Sequence, residues 1–237
     1  MNKKLKIGIV IVVLLILGFT VYYLSDYYHA EPAATDYLNG TQDVNVTEVS
    51  NSLFVDGPGN DTALIFYQGA KVEFASYLPL FVDLAKRGVD VYIVEMPFNI
   101  ACFNPNAADE IIDNTNYSNY FISGHSLGGV MASDFVNETN KTDGLILLSS
   151  YSTREIQKPV LSIYGTNDKV LKLEKYNNSK DNYKSYFKEI VIEGGNHAQF
   201  GEYGNQTGDG IATIDSQDQQ KQTANEILNF IKEHSKN

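Results

Sequence analysis

The chain has 237 residues, of which 43% are hydrophobic and 20% are charged, which is enough for one globular domain with a short extension. Its net charge of −11 and its pI near 4.7 argue against nucleic acid as a partner, because phosphate binding requires a basic surface, and they disfavour a polyanionic substrate. The single cysteine excludes an intramolecular disulfide.

The first predicted element is a membrane-spanning helix. Residues 7–24 carry no charge, and eighteen residues at about 1.5 Å each span about 27 Å, which is sufficient for a thin hydrocarbon core. Basic residues precede this segment, Lys3, Lys4 and Lys6, and aromatic residues form an interfacial belt at its C-terminal end, Tyr22, Tyr23, Tyr27 and Tyr28. The positive-inside rule then predicts cytoplasmic lysines and a folded domain on the outer side of the membrane.

The exit from this segment favours an uncleaved anchor. A signal peptide ends in small residues, whereas residues 22–28 are bulky and aromatic. We therefore expect residues 1–24 to be a membrane anchor, with a cleaved signal segment and a secreted product as the alternative. Residues 25–40, which contain Pro32, are predicted to be a mobile polar linker, and residues 41–237 to be the folded domain.

Strands and helices alternate along the domain. The predicted strands cover residues 44–49, 52–55, 62–67, 89–94, 119–122, 144–149, 160–164 and 189–192. The predicted helices cover residues 74–86, 106–113, 130–136, 171–176 and 219–234. Apolar strands that alternate with helices predict an α/β fold, with a mostly parallel central sheet, helices on both faces and the functional site at the carboxyl ends of the strands.

The most informative motif is Gly124-His-Ser-Leu-Gly128, which fits the G-x-S-x-G nucleophile elbow. In this motif a strand makes a sharp turn into a helix with the serine at the tip, and glycines on both sides avoid steric clashes. The flanks fit, because residues 119–122 are typical of a strand and residues 130–136 have helical spacing. Ser126 is therefore the candidate nucleophile.

A serine nucleophile needs an imidazole that accepts its proton. Of the four histidines, His29 follows the apolar segment, His234 belongs to the C-terminal tail, and the side chain of His125 should point away from Ser126. His197 lies in a glycine-rich loop after a predicted strand, where catalytic groups are commonly found. Elimination therefore favours His197 as the general base.

From about Thr62 to the C-terminus the chain resembles the α/β-hydrolase superfamily. The resemblance is carried by the stretches Phe66–Val72, Glu95–Ile100, Gly124–Gly129 and Gly194–Gly201. These are similar to small, cap-poor bacterial members related to dienelactone hydrolases, and they imply an α/β-hydrolase fold. Dienelactone hydrolases proper carry a cysteine in the elbow where this chain has Ser126, so their specific activity is not implied.

In this fold the acid lies between the nucleophile and the histidine in chain order, which points to Asp168. Asp168 follows the apolar strand 160–164, whereas Asp143 precedes a strand and Glu174 falls in a predicted helix, so both are weaker candidates.

The fold also implies an oxyanion hole made of two backbone N–H groups. One belongs to Leu127, and the other to Gly69 or Ala70, between which the sequence does not choose.

The predicted pocket is open and shallow. Only residues 150–158 separate two strands at the position where many esterases insert a helical cap. Aromatic residues in the surrounding loops are candidates for its walls: Phe98, Phe103, Phe200 and Tyr203.

The predicted function is a serine hydrolase that cleaves a carboxylic ester, thioester or lactone of modest size through an acyl-enzyme. We expect no cofactor and no metal, since no His/Cys cluster has metal-binding spacing. The expected partners are a small acyl substrate and the membrane. An envelope acyltransferase with the same three residues, and a catalytically silent membrane-tethered binding domain, are the alternatives, and the oligomeric state is left open.

Overall fold

The computed structural model describes residues 2–236 and is built around one eight-stranded sheet. The strands are β1 Asn45–Val49, β2 Ser52–Asp56, β3 Thr62–Tyr67, β4 Asp90–Val94, β5 Asn119–His125, β6 Gly144–Leu148, β7 Val160–Gly165 and β8 Phe187–Ile192. Their order across the sheet is β1-β2-β4-β3-β5-β6-β7-β8. Only the β1–β2 and β2–β4 pairings are antiparallel. The prediction of a mostly parallel sheet is confirmed.

Helices cover both faces of the sheet. The α-helices of residues 2–236 are α1 Lys3–Ser25, α2 Pro32–Thr35, α3 Leu78–Ala85, α4 Ala107–Asn114, α5 Leu127–Glu138, α6 Leu173–Ser179 and α7 Ser216–His234. α3 and α7 pack on one face around Phe81 and Phe230, and α4 and α5 pack on the other around Ile112 and Phe135. The sheet is therefore the middle layer of three.

The central strand β3 shows why the sequence adopts this architecture. All six of its residues are buried, and they alternate between the two cores, with Leu64 and Phe66 on the α3 and α7 side and Ile65 and Tyr67 on the other. Burial on both faces requires a continuous apolar run instead of a polar alternation. β5 pairs in parallel with β3, so the carboxyl ends of both strands meet at one edge of the sheet.

The N-terminal helix α1 projects from the domain: none of its residues is buried, and its last turn contacts the domain through Tyr23. Within residues 2–236 it is the one helix that is long and apolar enough to cross a membrane, although a signal sequence has the same features. The prediction of an apolar N-terminal helix is therefore confirmed, and the choice between a membrane anchor and a signal segment stays a prediction.

The predicted mobile linker is wrong for most of its length. Tyr28 forms a parallel β-bridge with Val72, and the N–H of Glu31 donates to the Glu202 carbonyl at 2.9 Å. Ala34 in α2 is fully buried. Composition suggested a tether because the segment is polar, but its backbone and its few apolar side chains attach it to the domain. The folded part therefore begins at about Tyr28 instead of residue 41.

Candidate active site

Ser126 lies at the turn between β5 and α5 with φ 52° and ψ −122°. A non-glycine residue in this region of backbone space is strained, and such strain is found mainly at functional sites. The flanking glycines make the turn sterically possible. A Cβ on Gly124 would lie 2.5 Å from Gly128 and Gly129 backbone atoms, and a Cβ on Gly128 would collide with the carbonyl oxygen of Gln68.

His197 and Asp168 form a buried pair. The Nδ1 atom of His197 lies 2.9 Å from Oδ2 of Asp168, and each side chain is 1% exposed. The other carboxylate oxygen of Asp168 accepts the N–H groups of Val170 at 2.9 Å and Leu171 at 2.8 Å. These three hydrogen bonds engage both carboxylate oxygens and fix the orientation of Asp168 toward the imidazole.

The pKa of Asp168 reflects two opposing effects. Burial alone raises it, because a charged carboxylate is poorly solvated in the protein interior. The hydrogen bond from His197, the charge of that ring and the Leu171 N–H stabilise the ionised form and bring the pKa below its usual value. Asp168 is consequently a carboxylate at neutral pH.

Ser126 and His197 line the same cavity, which has a volume of about 200 Å³. Its other walls include Leu127, Val130, Ser150, Tyr151, Leu171 and Lys172. Among residues 2–236 the buried Nε2 atom of His197 has no hydrogen-bond partner, so the Ser126 hydroxyl is not bonded to it in this structure. Catalytic hydrogen bonds are often long in free enzymes and shorten when substrate binds. The structure brings Ser126, His197 and Asp168 to one site at the carboxyl edge of the sheet.

Two backbone N–H groups near Ser126 lack acceptors in the described chain, those of Leu127 and Ala70. Leu127 is the first residue of α5, where N–H groups have no partner within the helix. The N–H of Gly69, by contrast, donates to the Tyr77 hydroxyl at 3.1 Å. Of the two candidate donors that the sequence left open, the Ala70 N–H is the one without an acceptor among residues 2–236.

Tyr77 links β5 to the loop of residues 69–73, which is called the oxyanion loop after its predicted role. Its Oη atom accepts the Gly69 N–H and lies 2.9 Å from Nδ1 of His125. Because the hydroxyl has no other neighbour to donate to within residues 2–236, we assign its proton to the bond with His125. Burial, and after it the charge of His197, hold the pKa of His125 well below its usual value, so this ring is neutral. Gly69 is required here, since a Cβ would lie 2.8 Å from His125 Nδ1.

The comparisons with known proteins decide the family. The model of the Alpha/beta hydrolase family matches residues 63–221, which is more than half of the chain. The chain belongs to the alpha/beta hydrolase family. No curated protein sequence matches it.

Solved structures share the alpha/beta hydrolase fold with this chain at low sequence identity. An alpha/beta hydrolase from the metagenome of lagoon sediments of Mar Chica, Morocco, has a TM-score of 0.61 at 14% identity, covering 80% of this chain and 98% of its own. Dienelactone hydrolase from Anabaena variabilis has a TM-score of 0.60 at 11% identity, with 82% and 100% covered. Ferulic acid esterase from Streptomyces cinnamoneus has a TM-score of 0.60 at 16% identity, with 76% and 68% covered. At these identities the likeness supports the hydrolase fold alone.

The four aromatic residues predicted for the pocket do not line the cavity of this alpha/beta hydrolase. Phe200 and Tyr203 are buried core residues, where Phe200 packs against the ring of His125 at 5.6 Å. Phe98 and Phe103 are exposed and pack edge to face at 5.7 Å. The pocket prediction is therefore wrong for Phe200 and Tyr203, because both side chains are packed into the core, and Phe98 and Phe103 are not among the residues that line the cavity.

Sequence reasoning also missed a positioning residue of the hydrolase site. Asp209 accepts the N–H of Lys169 at 3.2 Å and the N–H of Ala198 at 2.9 Å. Those two residues directly follow Asp168 and His197, so one carboxylate ties the acid loop to the histidine loop. The available signal was only a turn aspartate between two glycines, which is common in loops.

The Tyr77 link leads to a testable expectation. Tyr77→Phe should lower the free energy of unfolding by about 1–3 kcal/mol, because it leaves the buried Gly69 N–H and the His125 Nδ1 atom without partners. Urea unfolding measures this. Tyr203→Phe is the matched control, since that hydroxyl meets only the part-buried Gln206, and its loss should be smaller. Equal losses for the two variants would contradict the link.

Proposed function

We propose that this member of the alpha/beta hydrolase family is a serine hydrolase that cleaves a carboxylic ester, thioester or lactone through an acyl-enzyme. The observation that carries the proposal is the buried His197–Asp168 pair at 2.9 Å, in which His197 has an unpartnered Nε2 atom and lines the same cavity as the strained Ser126. A buried polar atom without a partner is costly, so its persistence at a cavity wall suggests a ligand or reaction partner.

In the proposed reaction the Ser126 oxygen attacks the substrate carbonyl while its proton moves to Nε2 of His197. Asp168 keeps the Nδ1 proton of His197 in place and stabilises the imidazolium that forms. The N–H groups of Leu127 and Ala70 bind the oxyanion. His197 then donates its proton to the leaving group, and water activated by the same ring releases the acid and regenerates Ser126. These steps invoke no metal or cofactor.

We also propose that the protein is membrane-anchored with its catalytic domain on the outer side. The lysines in the first turn of α1, Lys3, Lys4 and Lys6, support this orientation through the positive-inside rule. The attachment of Tyr28 to Val72 supports an uncleaved anchor, because the chain that leaves α1 enters the folded domain within three residues of Ser25.

A fluorophosphonate probe tests the nucleophile. The purified full chain should become covalently labelled at one site, since such probes phosphonylate a serine that an adjacent base activates. Ser126→Ala should lose the label entirely, while Ser185→Ala, which removes an exposed serine at the opposite edge of the sheet, should keep it. If the wild-type protein stays unlabelled, or if Ser126→Ala is labelled equally, a catalytically silent binding domain becomes the better interpretation.

A further inference from the structure

The segment that leaves the N-terminal helix is attached directly to the oxyanion loop. The N–H of Tyr28 donates to the carbonyl of Lys71 at 2.7 Å, and the N–H of Glu73 donates to the carbonyl of Tyr28 at 2.9 Å. The N–H of Ala30 donates to the Glu73 carboxylate at 2.9 Å. Lys71 follows Ala70, the free oxyanion donor. The chain leaving the helix is therefore hydrogen-bonded to the loop that directly follows Ala70.

The end of α1 touches the same loop through side chains. Nζ of Lys71 lies 3.0 Å from the carboxylate of Asp26 and 4.3 Å from the ring centre of Tyr23. The three residues from Ser25 to Tyr28 span at most about 11 Å even when extended. The headgroup layer adds about 5–8 Å on each side of the hydrocarbon core. If α1 crosses a membrane, the oxyanion loop thus lies at or just above the headgroups.

An exposed aromatic pair lies next to a residue that is hydrogen-bonded to the same loop. The carbonyl of Asn99 accepts the N–H of Lys71 at 2.7 Å, and the neighbouring Phe98 pairs with Phe103. The two phenylalanines are 56% and 57% exposed. Phe98 also has φ 56°, a conformation that is unfavourable for a bulky residue and that here presents an apolar ring to solvent. Apolar aromatic groups held on a surface mark interaction sites, and aromatic rings favour the membrane interface.

We propose that the aromatic edge, defined as Phe98, Cys102 and Phe103, lies in the headgroup layer of the membrane that α1 crosses, so that the Ser126 cavity takes its acyl substrate from the lipid layer. The inference rests on the proposed function and specifies its substrate class, an amphiphilic ester carried in the bilayer. The apolar Leu127, Val130, Val170 and Leu171 in the cavity wall suit an acyl chain.

The single cysteine allows the placement to be measured without any assay of activity. Cys102 is exposed within the aromatic edge and is the one cysteine of the chain, so a thiol-reactive fluorophore labels that position alone. The full chain would be reconstituted into phosphatidylcholine vesicles that contain lipids with a nitroxide on the headgroup. Nitroxide lipids should quench the fluorophore at Cys102 strongly.

The matched control carries its label at the opposite edge of the sheet. Cys102→Ser combined with Ser185→Cys places the fluorophore on an exposed residue just before β8. Strands of five to six residues separate the two edges by about 17–20 Å. Quenching at Cys102 should exceed quenching at residue 185 at least twofold. Equal quenching at the two positions would overturn the proposal. So would a Cys102 that stays shielded from solvent without lipid, because a second copy of the chain would then cover it.

Turnover of two esters tests the substrate class. Phe98→Ser with Phe103→Ser should lower the hydrolysis of a vesicle-borne lipid ester at least fivefold more than that of water-soluble p-nitrophenyl acetate. Phe98→Gly removes a ring and also relieves the positive φ, so a similar selective loss in that variant excludes misfolding as the cause. Tyr186→Ser, which removes a partly exposed aromatic residue at the opposite edge, should change neither rate.

Proportional losses on both esters, or no loss on either, would refute the membrane placement. The proposed function and the membrane placement fail in different ways. A protein that fluorophosphonate does not label would hydrolyse neither ester, which would refute the proposed function. The quenching difference needs no activity, so it would still report where the aromatic edge lies.

Discussion

Ser126→Ala should lower kcat/KM for a soluble ester by about a million-fold while the protein stays folded. The reason is that alanine removes the attacking oxygen but leaves the elbow, the His197–Asp168 pair and the Leu127 and Ala70 N–H groups in place. A residual rate of about a thousand-fold over water should survive through the oxyanion hole and substrate binding. Steady-state hydrolysis of p-nitrophenyl acetate measures the loss, and circular dichroism checks the fold.

A variant in which Ser126 and His197 are both changed tests whether the two residues act together. If Ser126 and His197 act as one unit, then His197→Ala should cost about as much as Ser126→Ala, and the two changes together should cost no more than either alone. His234→Ala, which removes a partly buried ring in the last turn of α7, should leave turnover unchanged. Losses that multiply in the double variant would mean that the two residues act in separate steps, and the proposed proton transfer between them would fail.

Much of this site could be predicted from the sequence, because each of its motifs lies within one short stretch of residues. The elbow is a single short stretch, and His197 and Asp168 each follow a strand whose apolar run is visible in the sequence. The parallel sheet then brings those strand ends to one edge without further information.

The features that sequence could not predict depend on contacts between distant parts of the chain. Tyr77 and His125 are 48 positions apart, and nothing in either stretch indicates that they share a hydrogen bond. The attachment of Tyr28 to Val72 depends on backbone groups, which every polar linker also has. Tyr203 was assigned to a pocket because it lies in a loop near His197, but its burial depends on packing against Tyr28 and Tyr77.

Asp168→Asn should lower kcat by about ten-thousand-fold, although the side chains are nearly the same size. The backbone explains why. The N–H groups of Val170 and Leu171 both donate to Oδ1, so an asparagine must place its carbonyl oxygen there and turn its NH₂ group toward His197. His197 Nδ1 must then accept, which moves the imidazole proton to Nε2. In that tautomer Nε2 cannot take the proton of Ser126.

The same substitution has a pH signature in stability. The pKa of Asp168 is lowered in the folded protein, so its ionised form stabilises the fold at pH values above its unfolded pKa of about 4, and this contribution is lost as the pH falls through the lowered value. The difference in free energy of unfolding between wild type and Asp168→Asn should therefore be largest near neutral pH and shrink in acid. Denaturant titrations at several pH values measure it.

Asp143→Asn provides the control for both readouts. Asp143 was the weaker acid candidate, and it lies before β6, where it accepts the Tyr120 N–H at 3.0 Å and pairs with Lys236 at 2.7 Å. Its substitution should leave kcat within about twofold, because it contacts neither His197 nor the cavity. Turnover close to wild type in Asp168→Asn would show that His197 takes its working tautomer without this carboxylate. In that case the buried pair would serve the fold alone, and the Asp168 role would have to be withdrawn.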